Sequence, residues 1–184
     1  MKKRNLLFVS TAVGWFLLSS FSVLFPNGAP VAVTGSTGDG ASCASTNCHR
    51  GAVNTASGWI TSNIPVGGYI PGQTYQITAT NSVTGSGNYG FEVSPQNTVG
   101  ALLGTLTAGT NSKLVGTGKY VTQSTSSTSV RVWTFPWRAP VAGTGNVTFY
   151  GAFARNTSDP TTLSNLSVAE QTNTGIIEPT PSAK

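Results

Sequence analysis

The sequence predicts an all-β protein: an immunoglobulin-like antiparallel β-sandwich that follows an irregular N-terminal arm. From residue 58 onwards, short segments alternate apolar and polar residues with a period of two, which is typical of strands with one buried face. Clusters of Gly, Pro, Asn and Ser separate these segments, as in a sandwich built from many short strands. Beyond the N-terminus, no stretch carries an apolar 3.6 period long enough for a helix.

Eight segments are predicted as strands: residues 58–64, 74–80, 88–94, 101–107, 114–122, 129–135, 146–154 and 163–170. Within the sixth of them, Trp133 and Phe135 share one face. Burial of such large rings is the expected driving force of the core. Trp137 follows Pro136 at the expected end of this strand, so we expect Trp137 to be partly exposed.

Residues 1–25 read as a signal peptide or an N-terminal membrane anchor. A basic start, Met1-Lys2-Lys3-Arg4, precedes an apolar run that extends to Phe25. The run contains several Ser and Thr residues, which favours cleavage over retention as a membrane span. Either outcome predicts an exported protein that is periplasmic, cell-surface or extracellular, with membrane contact only through this segment if it stays uncut.

The rest of the chain divides into three predicted parts: an irregular arm at residues 26–57, the sandwich at residues 58–171 and a polar tail at residues 172–184. Three of the ten Lys and Arg residues lie in residues 1–4, which leaves seven against five Asp and Glu. These seven form no basic cluster, so nucleic acid is not an expected partner.

Both cysteines and the only histidine lie within seven residues, Cys43-Ala-Ser-Thr-Asn-Cys48-His49. Two thiols followed at once by an imidazole are typical of c-type haem attachment, in which the thiols bond to the haem vinyl groups and the imidazole ligates the iron. Cys43, Cys48 and His49 are therefore candidate haem c residues, with His49 as the metal ligand. Four residues separate these cysteines, whereas the usual spacing has two.

Other chemistries compete for the same residues. A Cys43–Cys48 disulfide beside a bystander His49 is the main alternative, although so short a loop stabilises the fold by only about 2 kcal/mol. Zinc lacks a fourth Cys or His ligand, and a redox thiol pair lacks its usual βαβ context. With one histidine and five scattered carboxylates, the sequence shows no catalytic constellation, so an enzyme is not expected.

Five motifs carry a resemblance to a known family: Thr34-Gly-Ser-Thr-Gly-Asp-Gly-Ala-Ser-Cys43, Tyr69-Ile-Pro-Gly-Gln-Thr-Tyr75, Tyr89-Gly-Phe-Glu-Val93, Trp137-Arg-Ala-Pro140 and Gly145-Asn-Val-Thr-Phe-Tyr-Gly151. In this order they resemble the bacterial reeler-like domain, also called the choice-of-anchor V domain, over about residues 27–154. The resemblance implies export, an immunoglobulin-like sandwich and a Cys-x-x-Cys-His or longer Cys-x4-Cys-His element near the start of the domain. Cys43, Cys48 and His49 match that element. Residues 154–160 depart from the Asn-rich segment that often follows the last aromatic strand, so no binding role is carried over to this loop.

Two functions follow as hypotheses. The first is a small electron-transfer or haem-sensing protein with covalent haem c and an unknown redox partner. The second is a non-enzymatic extracellular structural or adhesion module with a Cys43–Cys48 disulfide and an unknown surface partner.

Overall fold

In the described residues, ten strands form two sheets. The structure is a computed structural model that describes residues 25, 27–44, 48–49 and 52–171. Nearly all of the predicted signal or anchor segment, and the predicted polar tail, lie outside the described residues. Within those residues there is no helix, and hence none that is long and apolar enough to cross a membrane.

The strands are β1 (Val53–Thr55), β2 (Ile60–Ser62), β3 (Thr74–Thr80), β4 (Tyr89–Gln96), β5 (Thr105–Leu106), β6 (Ser112–Val115), β7 (Tyr120–Gln123), β8 (Val132–Arg138), β9 (Val147–Arg155) and β10 (Thr161–Val168). One sheet has six strands in the order β1-β10-β9-β4-β7-β6, and the other has four in the order β2-β3-β8-β5. The strand pairs are antiparallel except that β1 runs parallel to β10. The all-β sandwich predicted from the sequence is therefore confirmed.

The core lies between the inner faces of the two sheets, and aromatic rings dominate it. The Phe91 ring of the six-stranded sheet stacks on Trp133 of the four-stranded sheet with centroids 4.4 Å apart. Phe149 meets Trp137 edge-on at 5.0 Å. The period-two alternation of β4, β8 and β9 delivers these rings to one side of each sheet, which confirms the predicted burial of Trp133 and Phe135.

The expected exposure of Trp137 is wrong, because its side chain is 0% exposed. Pro136 does not end the strand: β8 continues to Arg138 and remains paired with β3 over its whole length. The short strand β5 pairs beside Trp137, and the indole Nε1–H donates to the Leu103 carbonyl at 2.9 Å.

Two other strands differ from the prediction. Residues 114–122 do not form one strand; they hold parts of β6 and β7, joined by a turn in which Gly118 N–H donates to Val115 O at 3.2 Å. Gly116 and Gly118 have positive φ there, which turns the chain back. β1 has no counterpart among the predicted strands, because its three residues are all exposed and carry no alternation.

The first part of the predicted arm, residues 27–44, crosses the outer face of the six-stranded sheet. From here on, the arm means residues 27–44 only. It is fastened by side chains that rise from that face. Ala29 N–H donates to Thr122 Oγ1 at 2.9 Å, and Val33 N–H donates to Glu92 Oε2 at 2.8 Å. Both faces of β4 are therefore largely buried, one against the core and the other against the arm.

Candidate functional site

A cavity of about 200 Å³ lies between the arm and the sandwich, and Cys43, Cys48 and His49 all line it. The structure thus brings together the three residues that the sequence singled out. Aromatic and small apolar residues make up much of the rest of the lining: Phe25, Ala29, Pro30, Tyr89, Phe91, Ala152 and Ala154. The outer-face alanines of β9 leave the space that larger residues would fill.

Cys43 lies at the end of the arm, in a small apolar cluster with Val33 and Ala152. Its N–H donates to the Val33 carbonyl at 3.1 Å, which fixes the chain over the sheet. Burial, followed by the nearby charges of Glu92 and Cys48, raises the pKa of the Cys43 thiol. Both cysteines are free thiols in the structure, and Cys43 is therefore in its neutral form.

His49 is half-buried, and its N–H donates to the Cys43 carbonyl at 3.1 Å. This bond joins the backbone of His49 to that of Cys43. Burial lowers the pKa of His49, although a hydrogen bond to the Asn156 backbone and the charge of Asp159 partly oppose it. The ring nitrogen Nδ1 is buried and has no hydrogen-bond partner among the described residues. A neutral imidazole of this kind is the form in which histidine ligates a metal, with a backbone group or a carboxylate as its outer partner.

The donor chemistry fits a covalently held haem, but the cavity does not enclose one. Its volume of about 200 Å³ falls below the roughly 300–1,000 Å³ of pockets that bury most of a small ligand. A porphyrin at this site would have much of its surface outside the cavity. In the described part of the chain, no three His, Cys, Asp or Glu side chains come together to hold a metal ion by themselves.

Tyr89, a cavity residue, is held in place by Arg131. The guanidinium lies 4.3 Å from the centre of the Tyr89 ring, and Arg131 Nη1 donates to the Val83 carbonyl at 3.1 Å. This cation–π contact stabilises the wall of the cavity at the start of β4.

The arm also covers a carboxylate that sequence reasoning missed. Glu92 is 0% exposed; its Oε2 accepts the Val33 N–H, and its Oε1 is buried without a partner. Burial raises the pKa of Glu92 to about 8. In the sequence, Glu92 occupies the polar position between Phe91 and Val93, where a solvent-facing residue would stand, so no local signal marks it as buried.

Asp39 of the arm is the neighbouring acid, and it is well paired. Its Oδ1 accepts hydrogen bonds from the Tyr120 hydroxyl at 2.7 Å and from Gln96 Nε2 at 3.1 Å, and Lys119 Nζ lies 3.6 Å away. Burial raises the pKa of Asp39, but hydrogen bonds, the strongest from Thr34, together with the Lys119 charge outweigh that effect and leave the pKa lowered. The two acids between the arm and the sheet are thus shifted in opposite directions: the pKa of Asp39 is lowered and the pKa of Glu92 is raised.

Solved structures share this architecture. The crystal structure of the human F-spondin reeler domain (fragment 1) matches with a TM-score of 0.55 at 19% identity, over 69% of this chain and 99% of that chain. The crystal structure of the Reelin-N domain of F-spondin also gives 0.55, at 18% identity, over 66% of this chain and 92% of that chain. The fold is reeler-like. The family resemblance drawn from the motifs is confirmed at this level, and identities this low show the fold alone. Neither a protein-family model nor a curated protein matches the sequence.

Proposed function

We propose that this chain is an exported, non-enzymatic protein whose reeler-like sandwich carries a covalently attached c-type haem, for electron transfer or haem sensing. One observation carries the proposal. Both thiols and the only imidazole of the chain line a single cavity, and the imidazole has a buried nitrogen that finds no partner in the part of the chain that the structure describes.

The thiols of Cys43 and Cys48 would attach the cofactor. Each S–H adds across one vinyl double bond, with sulfur bonding to one carbon and hydrogen to the other, so nothing leaves and no oxidant is consumed. The reaction requires both sulfurs to be unbridged thiols. Residues between the two cysteines are small or turn-forming, which suits the wider spacing.

His49 would ligate the iron, with the Asn156 backbone and Asp159 as its outer partners. When bound, the haem would supply one-electron redox chemistry. His49 is the only histidine and Met1 the only methionine of the sequence. A second protein donor to the group would therefore be of a weaker kind, such as Lys or Tyr, or would come from another subunit.

A non-enzymatic extracellular structural or adhesion module with a Cys43–Cys48 disulfide is the second candidate. One observation favours it: Cys48 is near enough to Cys43 for its charge to raise the pKa of the Cys43 thiol. In that case the bridge would clamp the end of the arm, and the sandwich would serve as a surface module. The fold that it shares with the F-spondin reeler domains suits this role equally well.

The experiment is periplasmic expression of the full chain with a haem-attachment system, followed by acid–acetone extraction and an absorption spectrum. The haem proposal predicts a Soret band that stays with the polypeptide. Cys43→Ala combined with Cys48→Ala should abolish it. Thr157→Ala is the matched control, because Thr157 lines the same cavity but offers no haem ligand. Colourless wild-type protein would overturn the haem proposal and favour the disulfide module.

A further inference from the structure

A second concavity opens at the edge of β10 and shares no lining residue with the Cys/His cavity. Its volume is about 420 Å³, which lies within the roughly 300–1,000 Å³ of small-molecule sites. The arm borders it at Thr34 and Gly35, and the chain that leaves β1 borders it at Ala56 and Ser57.

The backbone edge of β10 is paired at both ends of this concavity. At one end, Ala56 N–H donates to the Leu163 carbonyl at 2.9 Å, and β1 pairs no further. Beyond the other end, Tyr69 N–H donates to the Ala169 carbonyl at 2.9 Å. The same edge is therefore closed on either side of a short gap.

Asn165 and Ser167 lie in that gap. Alternate residues of a strand direct their backbone N–H and C=O groups to the same edge. Asn165 and Ser167 therefore present these groups to the same edge as Leu163 and Ala169. Among the strands of the described residues, none pairs with β10 there. The gap thus offers backbone donors and acceptors to a ligand, and its closed ends exclude a long extended peptide.

The concavity wraps around the edge strand and draws side chains from both faces. Tyr150 and Asn165 are register partners on the outer face, and Tyr150 is half-buried. Ser164 pairs with Gly151, whose missing side chain points toward Ile60 in the core. Ser164 is only 5% exposed, and its Oγ is buried without a partner. Buried hydroxyls are normally hydrogen-bonded, so this one can accept or donate to a bound group.

Six of the ten residues that line the concavity carry a hydroxyl or an amide: Thr34, Thr55, Ser57, Tyr150, Ser164 and Asn165. None of these lining residues carries a charge at neutral pH. A tyrosine ring adds an apolar face with a polar tip. This combination suits a neutral ligand with hydroxyl groups around its rim and C–H groups on its faces, which is the chemistry of a sugar ring.

We propose that the concavity at the β10 edge binds an uncharged sugar, with Tyr150 against the ring face and with Ser164, Asn165 and the open backbone edge as hydrogen-bond partners. The proposal is independent of the haem proposal, because the two sites have no residue in common.

The test is a nuclear magnetic resonance titration of the ¹⁵N-labelled full chain with glucose, galactose, mannose, N-acetylglucosamine and cellobiose. Concentrations up to roughly 50 mM detect dissociation constants in the millimolar range. We expect saturable shifts at Tyr150, Ser164 and Asn165 with at least one neutral sugar. Glucuronic acid and glucosamine serve as charged comparators, and a four-residue polyalanine peptide represents strand addition.

Two variants fix the location of the site. Asn165→Trp should fill the concavity and abolish the shifts, whereas Val132→Trp, at an exposed strand position of the other sheet that does not line the concavity, is the matched control and should retain them. Ser164→Ala should weaken binding by about tenfold through loss of one hydrogen bond. The proposal is overturned by no saturable shift with any neutral sugar, by shifts away from this concavity, by binding of the charged sugars alone or the peptide alone, or by equal binding in Asn165→Trp.

Discussion

Both faces of β4, in the middle of the six-stranded sheet, are largely buried, but by opposite means. The inner face meets the other sheet through aromatic rings, as where Phe91 stacks on Trp133. The outer face meets the arm through polar groups, as where Glu92 accepts from Val33 and Gln96 donates to Asp39. Apolar burial gains stability without regard to pH, whereas polar burial depends on each partner and each proton. The inner face therefore contributes most of the stability of the fold. The outer face carries the candidate Cys/His site and the pH dependence.

The inner face should show the largest response to mutation. Phe135→Ala removes a ring that is 0% exposed and leaves a cavity, so we expect a loss of about 3–5 kcal/mol in the free energy of unfolding. Urea denaturation measures it. Val132→Ala is the matched control on the same strand, since Val132 is 53% exposed and its truncation should cost less than about 0.5 kcal/mol. Equal losses in the two variants would show that β8 is not oriented as described.

Glu92 provides the next test, through pH. Its pKa is raised from 4.5 to about 8 in the folded protein, so the folded state holds a proton that the unfolded state has lost. The contribution of Glu92 to the stability of the wild type is therefore greatest below pH 4.5 and falls as the pH rises to about 8. Glu92→Gln should remove this dependence. Relative to the wild type, the variant should gain roughly 3 kcal/mol between pH 5 and pH 8, at about 1.4 kcal/mol per unit.

The difference between the two proteins isolates Glu92 from other titrating groups. The lowered pKa of His49 makes stability rise with pH below about 6.5, and the raised pKa of Cys43 matters only above about 9, but both groups are present in both proteins. Thermal unfolding followed by circular dichroism at each pH gives the result. A pH profile of Glu92→Gln parallel to that of the wild type would show that Glu92 is not buried under the arm.

Asp39 provides a third test, with a smaller expected effect, of how the arm is held on the outer face. Asp39→Asn removes a carboxylate that accepts from Tyr120 and pairs with Lys119, so we expect a loss of about 1–3 kcal/mol. Faster proteolysis within the arm should accompany it. Asp159→Asn is the control, because Asp159 pairs with Arg155 nearer the surface and should contribute less than about 1 kcal/mol. An arm equally resistant to protease in both variants would contradict the fastening described here.

The sequence predicted the inner face much better than the outer one, and the reason is physical. β3 spans the predicted residues 74–80, and β9 lies one residue from the predicted 146–154, because alternation is a local signal of a half-buried strand. Burial of Glu92 depends on the arm, whose Gly- and Ser-rich sequence carries no periodicity and says nothing about what it covers. The predicted exposure of Trp137 was wrong for a related reason. Its burial depends on β5, a two-residue strand distant in sequence that pairs beside it.

For the candidate site, too, the local cluster was predictable from the sequence, whereas the distant partners of His49 were not. Cys43, Cys48 and His49 were identified by their spacing alone, and the structure places them around one cavity. The outer partners of His49, the Asn156 backbone and Asp159, lie more than a hundred residues away, in the turn after β9. Proximity of that kind arises from sheet topology, which a local pattern does not encode.

The most direct test of the central claim is the intact mass of the full chain under denaturing conditions, after production with a haem-attachment system. The account predicts that the polypeptide gains the mass of one haem, and that the gain disappears when Cys43 and Cys48 are both replaced by Ala. A polypeptide lighter by two hydrogens, with no added haem, would instead show the two sulfurs bonded to each other and contradict the claim.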